Sequence, residues 1–156
     1  ISTEHGPYGG DEINKILYKK NYGFPIASIG EPYEFNKIDK SKKKNCKNFY
    51  FSKNHNLNNF EEPIFSFAKA VGISEIINVP ENFSKYWKEN FLISSLNARS
   101  LFRVSFDKNF QKIIYYEKIY VGERIRDIIY LKNKKVFILA LEDTGSIGIL
   151  SSPDNQ

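Results

Sequence analysis

Three groups of residues in this chain could bind a charged ligand. The first is a glycine-rich turn, Glu4-His5-Gly6-Pro7-Tyr8-Gly9-Gly10, which runs into the acids Asp11 and Glu12 and is followed by Asn21-Tyr22-Gly23-Phe24-Pro25. The second is Gly122-Glu123-Arg124-Ile125-Arg126-Asp127. Arg124 and Arg126 are two of only four arginines, the others being Arg99 and Arg103. Spaced i, i+2 at the entrance of a strand, they project to the same side. Guanidinium groups bind carboxylates bidentately. The third group lies in Leu92-Ile93-Ser94-Ser95-Leu96-Asn97-Ala98-Arg99-Ser100-Leu101-Phe102-Arg103, which reads as strand, turn and strand.

Each group also has a plainer reading. The glycine-rich stretch could be a tight turn without an ion. The arginine pair could be a surface pair salt-bridged to Glu123 and Asp127. Asn97 could be a turn residue that tolerates a left-handed backbone. His5, beside Gly-Pro, reads as a turn or rim residue rather than a base, and His55 sits in an Asn-rich loop and carries no signal. Cys46 is the sole cysteine, which excludes an internal disulfide; it reads as a loop thiol rather than a nucleophile.

The elements that must position these residues are mostly strands. From residue 73 onward, short β-type runs recur at 73–79, 90–96, 100–107 and 111–120, then at 126–131, 135–142 and 146–150. Turn signals separate them, including Asp107-Lys108-Asn109, Lys132-Asn133-Lys134 and Asp143-Thr144-Gly145. Leu101, Arg103, Ser105 and Asp107 alternate with Phe102, Val104 and Phe106, the period of a half-buried strand. Earlier in the chain a strand is expected over 12–18 and another over 48–52, within a long Gly-, Pro-, Asn- and Lys-rich connection from 23 to 62. Only 81–88, after Pro80, could make a short helical turn. The first series of four strands is the size of one propeller blade. The count reads as half a blade, a whole blade and three-quarters of a blade.

Bulk composition narrows the classes. The chain has 156 residues, 41% hydrophobic and 15% aromatic, enough apolar material for a domain core. It begins at Ile1 and contains no Met, so a processed chain, an excised segment or a gene fragment is expected. No signal-peptide pattern and no run long enough to span a membrane is present. The net charge of +5 comes from a Lys excess that, with abundant Asn, Ile, Phe and Tyr, fits an AT-rich genome better than a nucleic-acid surface. The densest basic stretch, from Lys40 to Lys47, reads as a solvated loop, and no nucleic-acid recognition motif accompanies it.

Together the three segments resemble the C-terminal half of the soluble quinoprotein sugar dehydrogenases, the glucose/sorbosone dehydrogenase family. The resemblance covers nearly the whole chain and is weakest between about residues 31 and 61. It implies an all-β fold, a partial six-bladed β-propeller of a little over two blades of four-stranded antiparallel sheets, with upstream blades missing. It further implies that residues 1–156 form the C-terminal part of one propeller domain. The backbone carbonyls of Gly6 and Pro7 would bind calcium, which takes hard oxygen ligands, with Asp11 as a supporting acid near the turn. The calcium would hold the cofactor pyrroloquinoline quinone, whose carboxylates Arg124 and Arg126 would grip.

The resemblance also places Asn97 and Ser74 toward the cofactor. The family pattern has Lys where this chain has Asn97, and Gly where it has Arg99; Asn97 can hydrogen-bond an oxygen but supplies no charge. Ser74, in Val71-Gly72-Ile73-Ser74, lies where the family places another polar group. The family's catalytic histidine belongs to an earlier blade, and neither His5 nor His55 matches its motif.

The implied activity of the parent protein is oxidation of an aldose at C1 to the lactone, with electrons passing to an external acceptor and a periplasmic or secreted location. A propeller without redox chemistry, serving as a binding or scaffold module, is the alternative. A calcium-dependent lactonase propeller would need converging acidic and amide ligands that the sequence does not offer. Gly9-Gly10-Asp11-Glu12 also resembles the signature hairpin of diguanylate cyclases, but Ile13 and the strands downstream do not fit that alternating helix–strand fold.

Overall fold

A computed structural model describes residues 1–32 and 51–153. The architecture is three antiparallel sheets in which consecutive strands lie side by side. The first contains β1 (Ser2–Glu4), β2 (Asp11–Asn14) and β3 (Phe65–Phe67). The second contains β4 (Ile73–Asn78), β5 (Phe91–Ser95), β6 (Ser100–Phe106) and β7 (Ile113–Tyr120). The third contains β8 (Ile125–Leu131), β9 (Val136–Leu141) and β10 (Ser146–Ser151). A single 3-10 turn at Asn56–Asn58 lies between β2 and β3. The all-β expectation holds, and the seven strands expected after residue 73 all form within a residue or two of their expected limits.

The central strands of the middle sheet, β5 and β6, are buried on both faces. Ile93, Phe102, Val104 and Phe106 pack toward the first sheet with Ile13, Phe67 and Ile73. Leu92 and Leu101 pack toward the third with Ile125, Ile128, Phe137 and Leu139. The half-buried reading of β6 therefore holds only near its end. Leu101 is covered by the third sheet, whereas Arg103 lies between the rings of Trp87 and Tyr115, 4.8 and 4.7 Å from their centroids. Its Nε donates to Glu117 across the β6–β7 pair at 2.7 Å.

Three expectations are corrected. The strand expected over 12–18 stops at Asn14. Beyond it the hydroxyl of Tyr22 accepts from the Leu17 N–H (2.7 Å) and donates to the Lys15 carbonyl (3.0 Å), doing for the backbone what a neighbouring strand would have done. Residues 81–88 form turns rather than a helical segment, because the N–H bonds of Phe83 and Trp87 reach back three residues to Pro80 and Ser84 and do not propagate. Phe83 instead drops into the core against Phe137, with ring centroids 4.7 Å apart. The opening half-blade is a three-stranded sheet: β1 and β3 are three residues each, too short to leave a periodic signal. Of the strand expected over 48–52, residues 48–50 lie outside the described residues, as do Cys46 and the Lys40–Lys47 stretch; Ser52 makes a single parallel bridge with Ala27.

The chain direction places the three candidate segments at one end of the sheets. β1, β3, β5, β7 and β9 finish at that end, and β2, β4, β6, β8 and β10 start from it. The connections there are residues 5–10, 68–72, 96–99, 121–124 and 142–145. On the far side of the third sheet Ile129, Ile138 and Ile149 stand in register, beside Ala140 and Ile147, an apolar face of the kind one propeller blade presents to the next.

Truncating the core between the second and third sheets should be costly. Phe137→Ala is expected to lower unfolding stability by about 3–5 kcal/mol in urea titration, whereas Ile147→Ser on the exposed face should stay within about 0.5 kcal/mol. Equal effects would mean that the two faces are not the inside and outside described.

Candidate functional site

The glycine-rich turn owes its shape to Asp11. This carboxylate is 1% exposed. Its Oδ1 accepts the Gly6 N–H at 2.9 Å, and its Oδ2 accepts the N–H groups of Val71 (2.8 Å), Gly72 (2.7 Å) and Ile73 (3.4 Å). One side chain thus closes the turn on itself and ties it to the connection between the first and second sheets. Hydrogen bonds to a charged acceptor contribute about 1.5–3 kcal/mol each, and orphaning a buried donor costs about 1–3 kcal/mol.

Two glycines are required by close approach. A Cβ on Gly6 would lie 2.0 Å from the Gly9 carbonyl oxygen, and one on Gly10, whose φ is +68°, 2.1 Å from the Gly30 nitrogen. Tyr8 and Glu31 exchange backbone bonds at 2.9 and 3.2 Å, which fixes the turn's outer side. His5 sits at the rim, 58% exposed, with Nδ1 4.0 Å from Asp11.

Hydrogen bonds continue from this turn across the end of the molecule. The Val71 carbonyl accepts the N–H groups of Asn97 and Ala98, each at 2.9 Å, and the Asn97 side-chain amide donates to the Ala70 carbonyl at 2.6 Å. The residue that takes the left-handed backbone in this turn is Arg99, with φ 51°, rather than Asn97. A glycine is the natural occupant of that conformation. Arg99 adopts it with its guanidinium bonded to the Gly122 carbonyl (3.0 Å) and paired with Asp143 (2.6 Å). Its own carbonyl accepts from Val121 and Gly122.

Those bonds lead directly to the arginine pair. β8 carries a bulge between Ile125 and Asp127. The extra residue lets Ile125 and Ile128, three apart, both enter the core, which strict alternation would forbid. Arg124 and Arg126 nevertheless converge, and both bond the carboxylate of Glu142, Arg124 through Nε at 3.3 Å. The Glu142 N–H in turn donates to the Arg124 carbonyl at 2.8 Å. The partner of the pair is therefore Glu142 and not Glu123 or Asp127. Asp127 turns back to accept its neighbour's Ile128 N–H at 2.8 Å, and Glu123 Oε2 has no hydrogen-bond partner among the described residues.

Ser74 lies deeper, in β4. Its hydroxyl donates to the Ile125 carbonyl at 2.7 Å, stitching the second sheet to the third, and lies 2.8 Å from the Ser94 hydroxyl. Its backbone carbonyl accepts from Thr3 at 2.8 Å, stitching the second sheet to the first.

The donor chemistry suits the groups that the sequence suggested. The buried turn residues Gly6 and Pro7 have carbonyls that accept no hydrogen bond among the described residues, which leaves two hard oxygens for a cation such as calcium. Among the described residues no cluster of three or more acidic, His or Cys side chains could hold a metal, so a cation here would depend on backbone oxygens. Arg124 and Arg126 each place one guanidinium donor on Glu142 and keep others for an acidic ligand. Asn97 is exposed but has its amide committed to Ala70. Sequence reading missed Glu142, Asp143 and the left-handed Arg99, because ion pairing between distant turns leaves no local pattern. It ranked Asp11 only as a supporting acid.

If Asp11 is the anchor, Asp11→Ala should cost at least about 3 kcal/mol, since it orphans several buried N–H groups. It should also abolish hydrogen-exchange protection at Val71–Ile73 while sparing β8–β10. A loss below about 1 kcal/mol would show that other contacts hold the turn.

Comparison with known proteins gives a consistent result. Aldose sugar dehydrogenase YliI of Escherichia coli (strain K12) is 28% identical over 155 residues, covering 98% of this chain and 38% of that protein. An uncharacterized Synechocystis protein, slr1608, is 25% identical over 151 residues, covering 97% of this chain and 34% of that protein. Among solved structures, a glucose dehydrogenase superposes with a TM-score of 0.74 at 25% identity, covering 96% of this chain and 39% of that chain. The soluble aldose sugar dehydrogenase of Escherichia coli superposes with a TM-score of 0.72 at 22% identity, covering 97% and 40%. The chain thus spans well under half the length of the relatives it matches, and its three sheets correspond to part of their β-propeller. The family profile described as Glucose / Sorbosone dehydrogenase matches residues 1–149, and the chain belongs to that family.

Proposed function

We propose that this chain is the cofactor-holding part of a quinoprotein sugar dehydrogenase that oxidises the C1 hydroxyl of an aldose to the lactone. The observation that carries the reading is the convergence of Arg124 and Arg126 on one carboxylate, at the same end of the sheets as the Gly6-Pro7 turn. When bound, pyrroloquinoline quinone would supply the two-electron chemistry, taking a hydride from C1 and later passing electrons to an external acceptor.

The chain's own residues bind and orient. Arg124 and Arg126 hold the carboxylates of the cofactor, and the Gly6 and Pro7 carbonyls hold a calcium ion. Asp11 keeps the turn in register with the Asn97 and Arg99 turn through Val71. Asn97, exposed at this end, is the remaining polar group offered to the cofactor, whereas the Ser74 hydroxyl is taken up by Ile125 and Ser94 and acts through the packing of the sheets. Asn97 contributes a hydrogen bond but no charge, so the cationic character of this end comes from Arg99, Arg124 and Arg126. The proton leaving the sugar hydroxyl goes to a base outside this chain, since neither His5 at the rim nor buried His55 fits that role. A periplasmic or secreted location goes with the same reading.

A non-catalytic propeller that binds or scaffolds is the second reading. It is favoured by Asn97 in place of the family lysine and by Glu142, which already neutralises part of the arginine pair.

The test is reconstitution of the parent protein with pyrroloquinoline quinone and calcium, following aldose-dependent reduction of an artificial dye. Arg124→Ala and Arg126→Ala are each expected to weaken cofactor binding about tenfold or more, the loss of a charge-assisted bond of about 1.5–3 kcal/mol. Calcium chelation should abolish dye reduction. Folded protein that binds no cofactor would leave the scaffold reading as the better account.

A further inference from the structure

The connection between β9 and β10 opens with two acids, Glu142 and Asp143, and each meets an arginine from another part of the chain. Asp143 pairs with Arg99 at 2.6 Å. Glu142 stands between two guanidinium groups, with Oε1 accepting from Arg124 Nε at 3.3 Å and Oε2 accepting from Arg126 Nη2. One oxygen goes to each arginine. A ligand carboxylate bridging the pair would be held in the same way. The negative charge of Glu142 also offsets the repulsion between two cations that converge on one spot.

The backbone of Glu142 is fixed, while its side chain is free to move. The Glu142 N–H donates to the Arg124 carbonyl at 2.8 Å, and the preceding Leu141 is paired with Ile125 on one side and Ser146 on the other. Among the described residues the carboxylate bonds only the two arginines. It is 36% exposed, and Arg126 is 57% exposed. Ion pairs this open to water are weak and screened by salt, so turning the carboxylate out into solvent costs little. Asp11, buried with its donors, has no such freedom. Asp143 keeps the connection attached through Arg99 while the Glu142 side chain moves.

Resting on the reading that Arg124 and Arg126 take the carboxylates of an acidic ligand, we propose that Glu142 is the placeholder for that ligand and competes with it for the pair. The ligand's carboxylate enters where the Glu142 carboxylate stood, and Glu142 swings into solvent. The pair accepts a ligand only in the fraction of molecules with Glu142 displaced, and the apparent affinity is lowered by that fraction. The factor belongs to the protein, so it is the same for every acid that must displace Glu142. A ligand with a single carboxylate exchanges one carboxylate for another and is left with the cost of its own immobilisation. A polycarboxylate also reaches the guanidinium N–H groups that Glu142 leaves unused. Glu142 thus keeps weakly held single carboxylates off the pair and yields to polycarboxylates.

Equilibrium binding of pyrroloquinoline quinone and of citrate, a simple tricarboxylate, to the parent protein in calcium decides, with binding at the pair identified by its loss in Arg126→Ala. Glu142→Gln keeps the size of the side chain and removes its charge. It should tighten both ligands by the same factor, about two- to tenfold, as expected for releasing two exposed ion pairs. Glu81→Gln removes an equal charge from a surface pair with Lys88 at the opposite end of the sheets and should leave both affinities unchanged. Unchanged binding in Glu142→Gln overturns the proposal, and so does weaker binding, which would show that Glu142 stays in place and aims the arginines. Equal tightening in Glu81→Gln also overturns it, because the effect would then be one of overall charge. Citrate binding that follows the expected pattern while pyrroloquinoline quinone binds neither protein upholds the placeholder and overturns the cofactor reading. Binding of neither ligand at the pair overturns both.

Discussion

The buried carboxylate of Asp11 is the contact on which the end of the molecule that carries the candidate site depends. A carboxylate with so little solvent must find its hydrogen bonds inside the protein. Asp11 finds four, one from its own turn and three from Val71, Gly72 and Ile73, where the connection between the first and second sheets enters β4. Those bonds set the first sheet against the second at the end where the candidate ligand groups lie. From Val71 the ladder of bonds runs to the Asn97 and Arg99 turn, from Arg99 to Gly122, and from Arg124 to Glu142. Distant parts of the sequence are joined by polar bonds at this end and by apolar packing between the sheets.

The division of labour follows from the topology. Adjacent antiparallel strands place alternate connections at opposite ends, so one end collects five connections that need not contribute to the core. The core needs only the sheet faces: Phe102 and Ile93 toward one neighbour, Leu92 and Leu101 toward the other. The connections can then hold strained and charged groups. Arg99 in a left-handed conformation costs about 1–2 kcal/mol, which its bonds to Gly122 and Asp143 offset. The bulge in β8 likewise serves both purposes, keeping Ile125 and Ile128 inside while leaving Arg126 at the surface.

What could be read in the sequence was what is local. The strands after residue 73 carry their own period and their own turn residues, and β5, β6 and β9 formed where those signals lay. β1 and β3 carried no such signal, since three residues do not make a period; they are strands because β2 lies between them. Residues 15–18 look like a strand but have no neighbour, and the Tyr22 hydroxyl takes two of their backbone groups. At the candidate site, it was the family resemblance that singled out Gly6, Pro7, Arg124 and Arg126. Their fastening through Asp11, Glu142 and Asp143 depends on contacts across the sheets that no spacing rule contains. His55 shows the same limit: an Asn-rich loop gave no hint that its histidine would be buried between two glutamates.

The most direct test of this account is an experimental structure of the protein grown with pyrroloquinoline quinone and calcium. The account predicts cofactor carboxylates on the guanidinium groups of Arg124 and Arg126, and a calcium ion on the Gly6 and Pro7 carbonyl oxygens, with the Asp11 bonds unchanged. Cofactor seated elsewhere, or an arginine pair still closed on Glu142 with no calcium at the turn, would contradict it.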